Sequence, residues 1–412
     1  MLILIKSLKA IILKAKAIKV FSWQTAVFFV CLGGLFLSCS FFNRLESLPI
    51  RILGDFYDLY FYYFVPSRWV MGNDVLYISL RSDYPFLANL LFGLVRCIAI
   101  PLSNVMQEFT AFCWIWSSLF LLVFFFIVKK IMTEQRSKLF LWIIFAPSTI
   151  YFALYRYDLY PAVCCLMSLL ALKEDQLEKS ALWLGASIAL KGYGVVLVPS
   201  LIIFLYPRTT LSRICKILCL IFTPLILSSL IVIVWWGIDA LIVPYSFQLA
   251  RIYNGESSYN AFFYILHLCG YSFSSLTVLS EWLMRHHVPV TLQLISSVVI
   301  PLVLPPRDWQ ELLEMWVFVL LGFISFSVFN SPQYLIWVAI PACLLPVSRP
   351  LIGMIVFAWM NYLYYPVAHD LIMNYGNRFF HLFMSTILVV TVLRFLIMAD
   401  LFNKRLLKDS SS

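Results

Sequence analysis

Residues 51–85 read RILGDFYDLYFYYFVPSRWVMGNDVLYISLRSDYP, the longest polar interruption in the N-terminal third of a very apolar chain. The stretch sets Arg51, Arg68 and Arg81 beside Asp55, Asp58, Asp74 and Asp83, among a dense run of aromatic residues from Phe56 to Tyr84. Carboxylates and arginines in aromatic surface at a membrane face suit an amphiphilic substrate. Rings hold an acyl chain or sugar faces, and cations hold a phosphate. An interfacial aromatic belt with solvated charges accounts for the same composition.

The surrounding chain decides what kind of surface this is. Of 412 residues, 62% are hydrophobic and 12% charged, and the mean hydropathy is +0.91. These values belong to an all-α, polytopic membrane protein. Apolar material covers the whole length, so residues 1–412 read as a single transmembrane domain. The net charge of +10 needs no nucleic acid, because inner loops and anionic lipid account for it. Residues 1–19 carry Lys6, Lys9, Lys14, Lys16 and Lys19 and read as a basic amphipathic helix on the cytoplasmic leaflet. Ten cysteines lie mostly in apolar runs without paired metal spacing, which makes them packing residues.

A span needs roughly 20 apolar residues. Working outward from residues 51–85, the first span is 23–42. The run 86–102 follows, with Arg96 inside it. Were 86–102 to cross, the next run, 110–128, would end with Lys129, Lys130, Arg136 and Lys138 outside. The positive-inside rule prefers an interfacial placement, so residues 43–105 form one outer segment with interfacial helices. The same test puts 180–207 as two short helices turning near Lys191-Gly192, and residues 237–287 as a second large outer segment. The count comes to about 12 spans, with both termini cytoplasmic in a plasma (inner) membrane. Asp55, Arg156, Asp158, Lys191, Arg251, Glu256, Gln333 and His369 then all fall at outer helix ends or loops.

Lys191 lies between two apolar helices, and a charge inside a membrane segment is a functional hypothesis by default. It suits a lipid-linked phosphate as a point charge; snorkelling to headgroups is the plain alternative. Arg156 and Asp158 either pair with each other or, through Arg156, join Lys191 at a phosphate. Gln333 is a cap-like residue or a sugar contact. His369 is a lone loop histidine. Asp58 shares a helix face with Asp55; a paired-carboxylate metal site needs more ligands, whereas a general base needs one. No nucleotide-binding or hydrolase fingerprint is present.

Five pieces resemble the GT-C glycosyltransferases, most closely the polyprenyl-phosphate-mannose-dependent mannosyltransferases of family 87. GDFYDLYFYY followed by GNDVLY is similar to the family's Asp-aromatic opening and Gly-Asn-x-x-Tyr continuation. SDYPFLANLLFG resembles its interfacial helix, with Phe86 in place of a second proline. LGASIALKGYGVVLVP resembles its lysine segment, with Gly194 where proline is usual. ARIYNGESSY resembles its Arg/Glu-Ser element, and NSPQYLIW its Ser-Pro-Gln-Tyr segment.

The resemblance implies a bundle of the GT-C type and transfer of a hexose, mannose first, from a polyprenyl-phosphate donor to a lipid or glycan acceptor at the outer face, with inversion. It implies Asp55 as catalytic base and Lys191 as the cation stabilising the departing phosphate. It gives Arg251 and Glu256 a part in shaping the donor or acceptor site, beside the substrate-binding candidates Arg156 and Gln333 read from the residues themselves. Asp58 replaces a small or apolar residue there, and Asp158 and His369 are further candidates. No cofactor or metal is implied. The rivals are transfer of another lipid-linked sugar, and a flippase or transporter of lipid-linked saccharide. A transporter places ionisable residues near mid-membrane.

Overall fold

The computed structural model describes residues 56–410 except 71, 73, 81, 136 and 250–256. The expected basic helix at 1–19, the first span at 23–42, and the candidates Asp55, Arg251 and Glu256 lie outside the described residues. The described elements are helices, apart from one isolated bridge between Leu76 and Leu80. Helices satisfy backbone polar groups within each segment, as a lipid environment requires.

These helices run between two chemically different ends. At one, Lys173 pairs with Glu134 at 2.7 Å, Lys216 with Glu178 at 3.4 Å and Lys408 with Asp308 at 3.4 Å. There too Arg405 and Lys408 grip Glu311, which fastens the C-terminal helix Phe380–Ser410 to the first turn of Trp309–Ser325. The opposite end gathers Asp58, Arg156, Asp158, Lys191, Gln333 and His369.

Leu177–Lys191 shows how a polar residue reaches that second end. The helix starts beside Lys216 and stops at Gly192, whose φ of +73° lies in the left-handed region. The chain turns through Tyr193–Leu197 and returns along Val198–Leu205. Halfway along, Gly185 lets Leu211–Trp236 pack against it. A Cβ there would sit 2.2 Å from the Ile221 carbonyl oxygen and 2.9 Å from Pro224 Cδ, so the backbones meet with no room for a side chain.

The expectation of about 12 spans is corrected. Among the described residues, four helices are long and apolar enough to cross a membrane: Phe86–Asn104, Glu108–Glu134, Leu211–Trp236 and Arg349–Lys408. Two bent pairs bring the number to six: Lys138–Ile144 with Pro147–Tyr155 (55°), and Ser274–Arg285 with Val288–Val303 (52°). These long apolar helices mark a multi-pass membrane protein. The other apolar runs are short. Leu159–Lys173 has 15 residues, and Val198–Leu205 and Leu335–Ala342 have 8 each. Every residue of Leu335–Ala342 is buried. Such runs are apolar because they form the bundle's core, and hydropathy does not separate a core helix from a lipid-crossing one.

Phe86–Asn104 qualifies as a span by length and composition, but its contacts keep it at one end. Phe86 meets Trp235 and Trp236 at the far end of Leu211–Trp236. Arg96 meets Ser67 at 2.9 Å and pairs with Glu108, where Glu108–Glu134 begins. Phe92 stacks on Tyr62 at 4.3 Å. The helix therefore lies across the polar end and does not run toward the lysine-rich one.

Candidate functional site

The polar end is built around Asp158. Pro147–Tyr155 stops at Arg156, whose backbone is extended, and Leu159–Lys173 starts three residues later. Asp158 has no solvent exposure. It accepts from Lys191 Nζ at 2.6 and 2.7 Å and from Trp337 Nε1 at 2.5 Å. A buried carboxylate demands such compensation. The ammonium also faces the rings of Tyr157 (4.6 Å), Trp337 (5.5 Å) and Tyr334 (5.8 Å), as a cation over an aromatic face prefers. Trp337 is itself held between Tyr193 at 4.1 Å and Tyr334 at 4.0 Å. Lys191 thus has its countercharge inside the protein, and Asp158 pairs with Lys191 and not with neighbouring Arg156.

Arg156 turns the other way. It pairs with Asp58, which also accepts from the Tyr62 hydroxyl at 3.4 Å. Burial pushes the Tyr62 and Tyr84 phenols well above their usual range, and the Asp58 carboxylate adds to the effect. Both rings stay protonated and neutral beside the Arg156–Asp58 pair. Arg156, Gln333 and His369 line one cavity of about 190 Å³, with Phe152, Ser331, Pro332 and Tyr365. The Asn361 side-chain amide donates to the Pro332 carbonyl at 3.1 Å, which fixes the Ser-Pro-Gln loop against the helix Arg349–Tyr362. Sites for whole drug-sized ligands hold about 300–1,000 Å³, so this cavity has room for one headgroup.

A second, larger and mostly apolar cavity of about 480 Å³ lies beyond Phe383. Phenylalanines 263, 380 and 383, with Leu276 and Met384, line it. The Phe383 ring is 6.1 Å from His369 and 5.8 Å from Tyr364, so a ring that lines the second cavity packs against the histidine that lines the first.

Of the expected site residues, Arg156, Gln333 and His369 share the polar cavity, Asp58 joins it through Arg156, and Lys191 and Asp158 form a separate buried pair beside it. Among the described residues no group of three or more His, Cys, Asp or Glu is placed to hold a metal ion. Sequence reasoning missed four residues. Trp337 and Tyr193 were given no role, although they lie in the quoted Ser-Pro-Gln and lysine segments. Asp370 sits beside His369 and is 3% exposed. Arg394, midway along Phe380–Ser410, is 1% exposed and donates to Ser258 Oγ and Thr391 Oγ1 at 3.0 Å each. A charged residue inside a long apolar run was the signal for it. In comparisons with known proteins, no family model, curated protein or solved structure matches this chain.

Proposed function

We propose that the chain is a membrane glycosyltransferase that moves a hexose, mannose first, from a polyprenyl-phosphate donor to a lipid or glycan acceptor. The observation that carries the reading is the convergence of Arg156, Gln333 and His369, from three distant segments, on one headgroup-sized polar cavity in an apolar bundle. The adjoining apolar cavity suits an amphiphilic donor. Arg156 takes the phosphate. A guanidinium offers five N–H donors, enough to keep the Asp58 pair and still bind an oxyanion. Gln333 and Ser331 serve the sugar hydroxyls. Asp55 accepts the proton of the acceptor hydroxyl as its oxygen bonds to the anomeric carbon; the bond from that carbon to the phosphate oxygen breaks, and polyprenyl phosphate leaves with the electron pair. Lys191 acts at one remove, by holding Asp158 and the Trp337 wall.

Gln333→Ala should raise the KM for polyprenyl-phosphate-mannose by about tenfold, the loss of one or two hydrogen bonds, with the fold unchanged. An unaltered KM removes Gln333 from the sugar site. A second reading, transport of lipid-linked saccharide, draws on Arg394, because buried intramembrane charges mark substrate pathways. Flux of a labelled lipid-linked saccharide across proteoliposomes without any transfer product would favour it.

A further inference from the structure

We infer that the polar cavity captures its anion together with a proton, with His369 becoming an imidazolium between the bound oxyanion and the Asp370 carboxylate. The inference rests on the reading of this cavity as the site of the donor's phosphodiester. His369 opens the helix His369–Tyr375 and lines the cavity with Arg156. Its Nδ1 is buried and without a hydrogen-bond partner, and so is Asp370 Oδ2. Nδ1 and Asp370 Oδ1 stand 3.8 Å apart, too far for a hydrogen bond and close enough for a strong charge interaction. A carboxylate that is 3% exposed and lacks a bond at one oxygen is costly. A proton on the adjacent imidazole is the nearest remedy.

What opposes that proton is Arg156, the cation in the same cavity. Its partner Asp58 offsets it in part. Among the described residues, the other groups that line the cavity or meet the His369 ring carry no formal charge: Gln333 and Ser331 from the Ser-Pro-Gln loop, the Tyr365 ring at 4.9 Å, and Phe383 from the terminal helix. Tyr362, on the preceding helix, feels the Asp370 charge. A phosphodiester entering the cavity adds negative charge between Arg156 and His369. It cancels the repulsion and gives the imidazole an acceptor opposite Asp370. Histidine is the side chain that changes charge between about pH 5 and 8. Anion and proton therefore bind with positive coupling, and by reciprocity each strengthens the other. Binding is then tighter at lower pH and weakens as pH rises.

The test is calorimetric titration of the purified full chain with citronellyl-phosphoryl-mannose, a short phosphodiester donor with no exchangeable proton near neutral pH. Runs at one pH in buffers of different ionisation heat count the protons taken up. Wild type should take up a substantial fraction of a proton per donor bound, and its affinity should fall several-fold from about pH 6 to about pH 8. His369→Gln should still bind, with the uptake abolished and the pH dependence flattened; Asp370→Asn should reduce the uptake. Wild-type binding with buffer-independent heat, or full uptake retained in His369→Gln, overturns the inference and leaves the cavity as a donor site. No binding by wild type at any pH overturns the cavity reading itself, and the inference with it.

Discussion

Lys191→Met separates a structural lysine from a substrate-binding one. The substitution keeps the length and the apolar stem of the side chain and removes the charge. Asp158, with no exposure, then keeps Trp337 Nε1 at 2.5 Å as a donor and loses both ammonium bonds. Removing one partner of a buried ion pair costs about 3–5 kcal/mol. The lysine side chain is 13% exposed, so water relieves part of this. Loss of the cation from the Tyr157 ring at 4.6 Å adds about 0.5–2 kcal/mol. We expect a net destabilisation of about 3–4 kcal/mol within these bounds. The assay is reversible unfolding in mixed micelles with increasing SDS, followed by far-UV circular dichroism. The double variant Lys191→Met/Asp158→Asn should regain at least half of the loss, because no uncompensated charge remains. A single variant within about 1 kcal/mol of wild type, or a double variant no better than the single, refutes the buried-pair account. The role that the resemblance implies for Lys191, the cation that stabilises the departing phosphate, leads instead to weakened donor use. With Asp158 behind it, the two effects should come together.

Two further outcomes follow from packing and charge. Gly185→Ala should push Leu211–Trp236 away, since the added Cβ would meet the Ile221 carbonyl at 2.2 Å; overpacking of this kind costs about 1–3 kcal/mol, and an unchanged unfolding midpoint would show that the two helices are not so close. Glu311 is held at about 2 against its ordinary 4.5: burial pushes it up, but Lys408, the Arg307 backbone N–H and Arg405 outweigh burial. A depressed folded-state value gives stability that is complete above 4.5 and drains away as pH falls toward about 2. The C-terminal helix should therefore loosen in acid within that window, read by hydrogen exchange over Phe380–Ser410, and Glu311→Gln should remove the pH dependence.

The sequence made the polar end legible because polar residues at the breaks between apolar runs have few places to go. Arg156, Lys191, Gln333 and His369 each interrupt such runs, and the structure brings all four to one end. Lysine-rich loops did the same for the other end. Pairing was not legible. Nothing in RYD says that Asp158 belongs to a lysine 33 residues on and Arg156 to Asp58, because that depends on which way an extended residue turns between two helices. Trp337 was hidden by its own chemistry, since an indole in an apolar run reads as core until its N–H finds a carboxylate. The number of spans was lost for a related reason. Leu335–Ala342 is as apolar as a lipid-facing helix, and it is buried throughout.

The most direct measurement is transfer of radiolabelled mannose from polyprenyl-phosphate-mannose into a membrane lipid extract by the purified protein, with Asp55→Asn beside it. The proposed function requires that wild type transfers label and that a folded Asp55→Asn does not. Transfer by Asp55→Asn at the wild-type rate, or no transfer by wild type from this or any other polyprenyl-phosphate hexose, contradicts it.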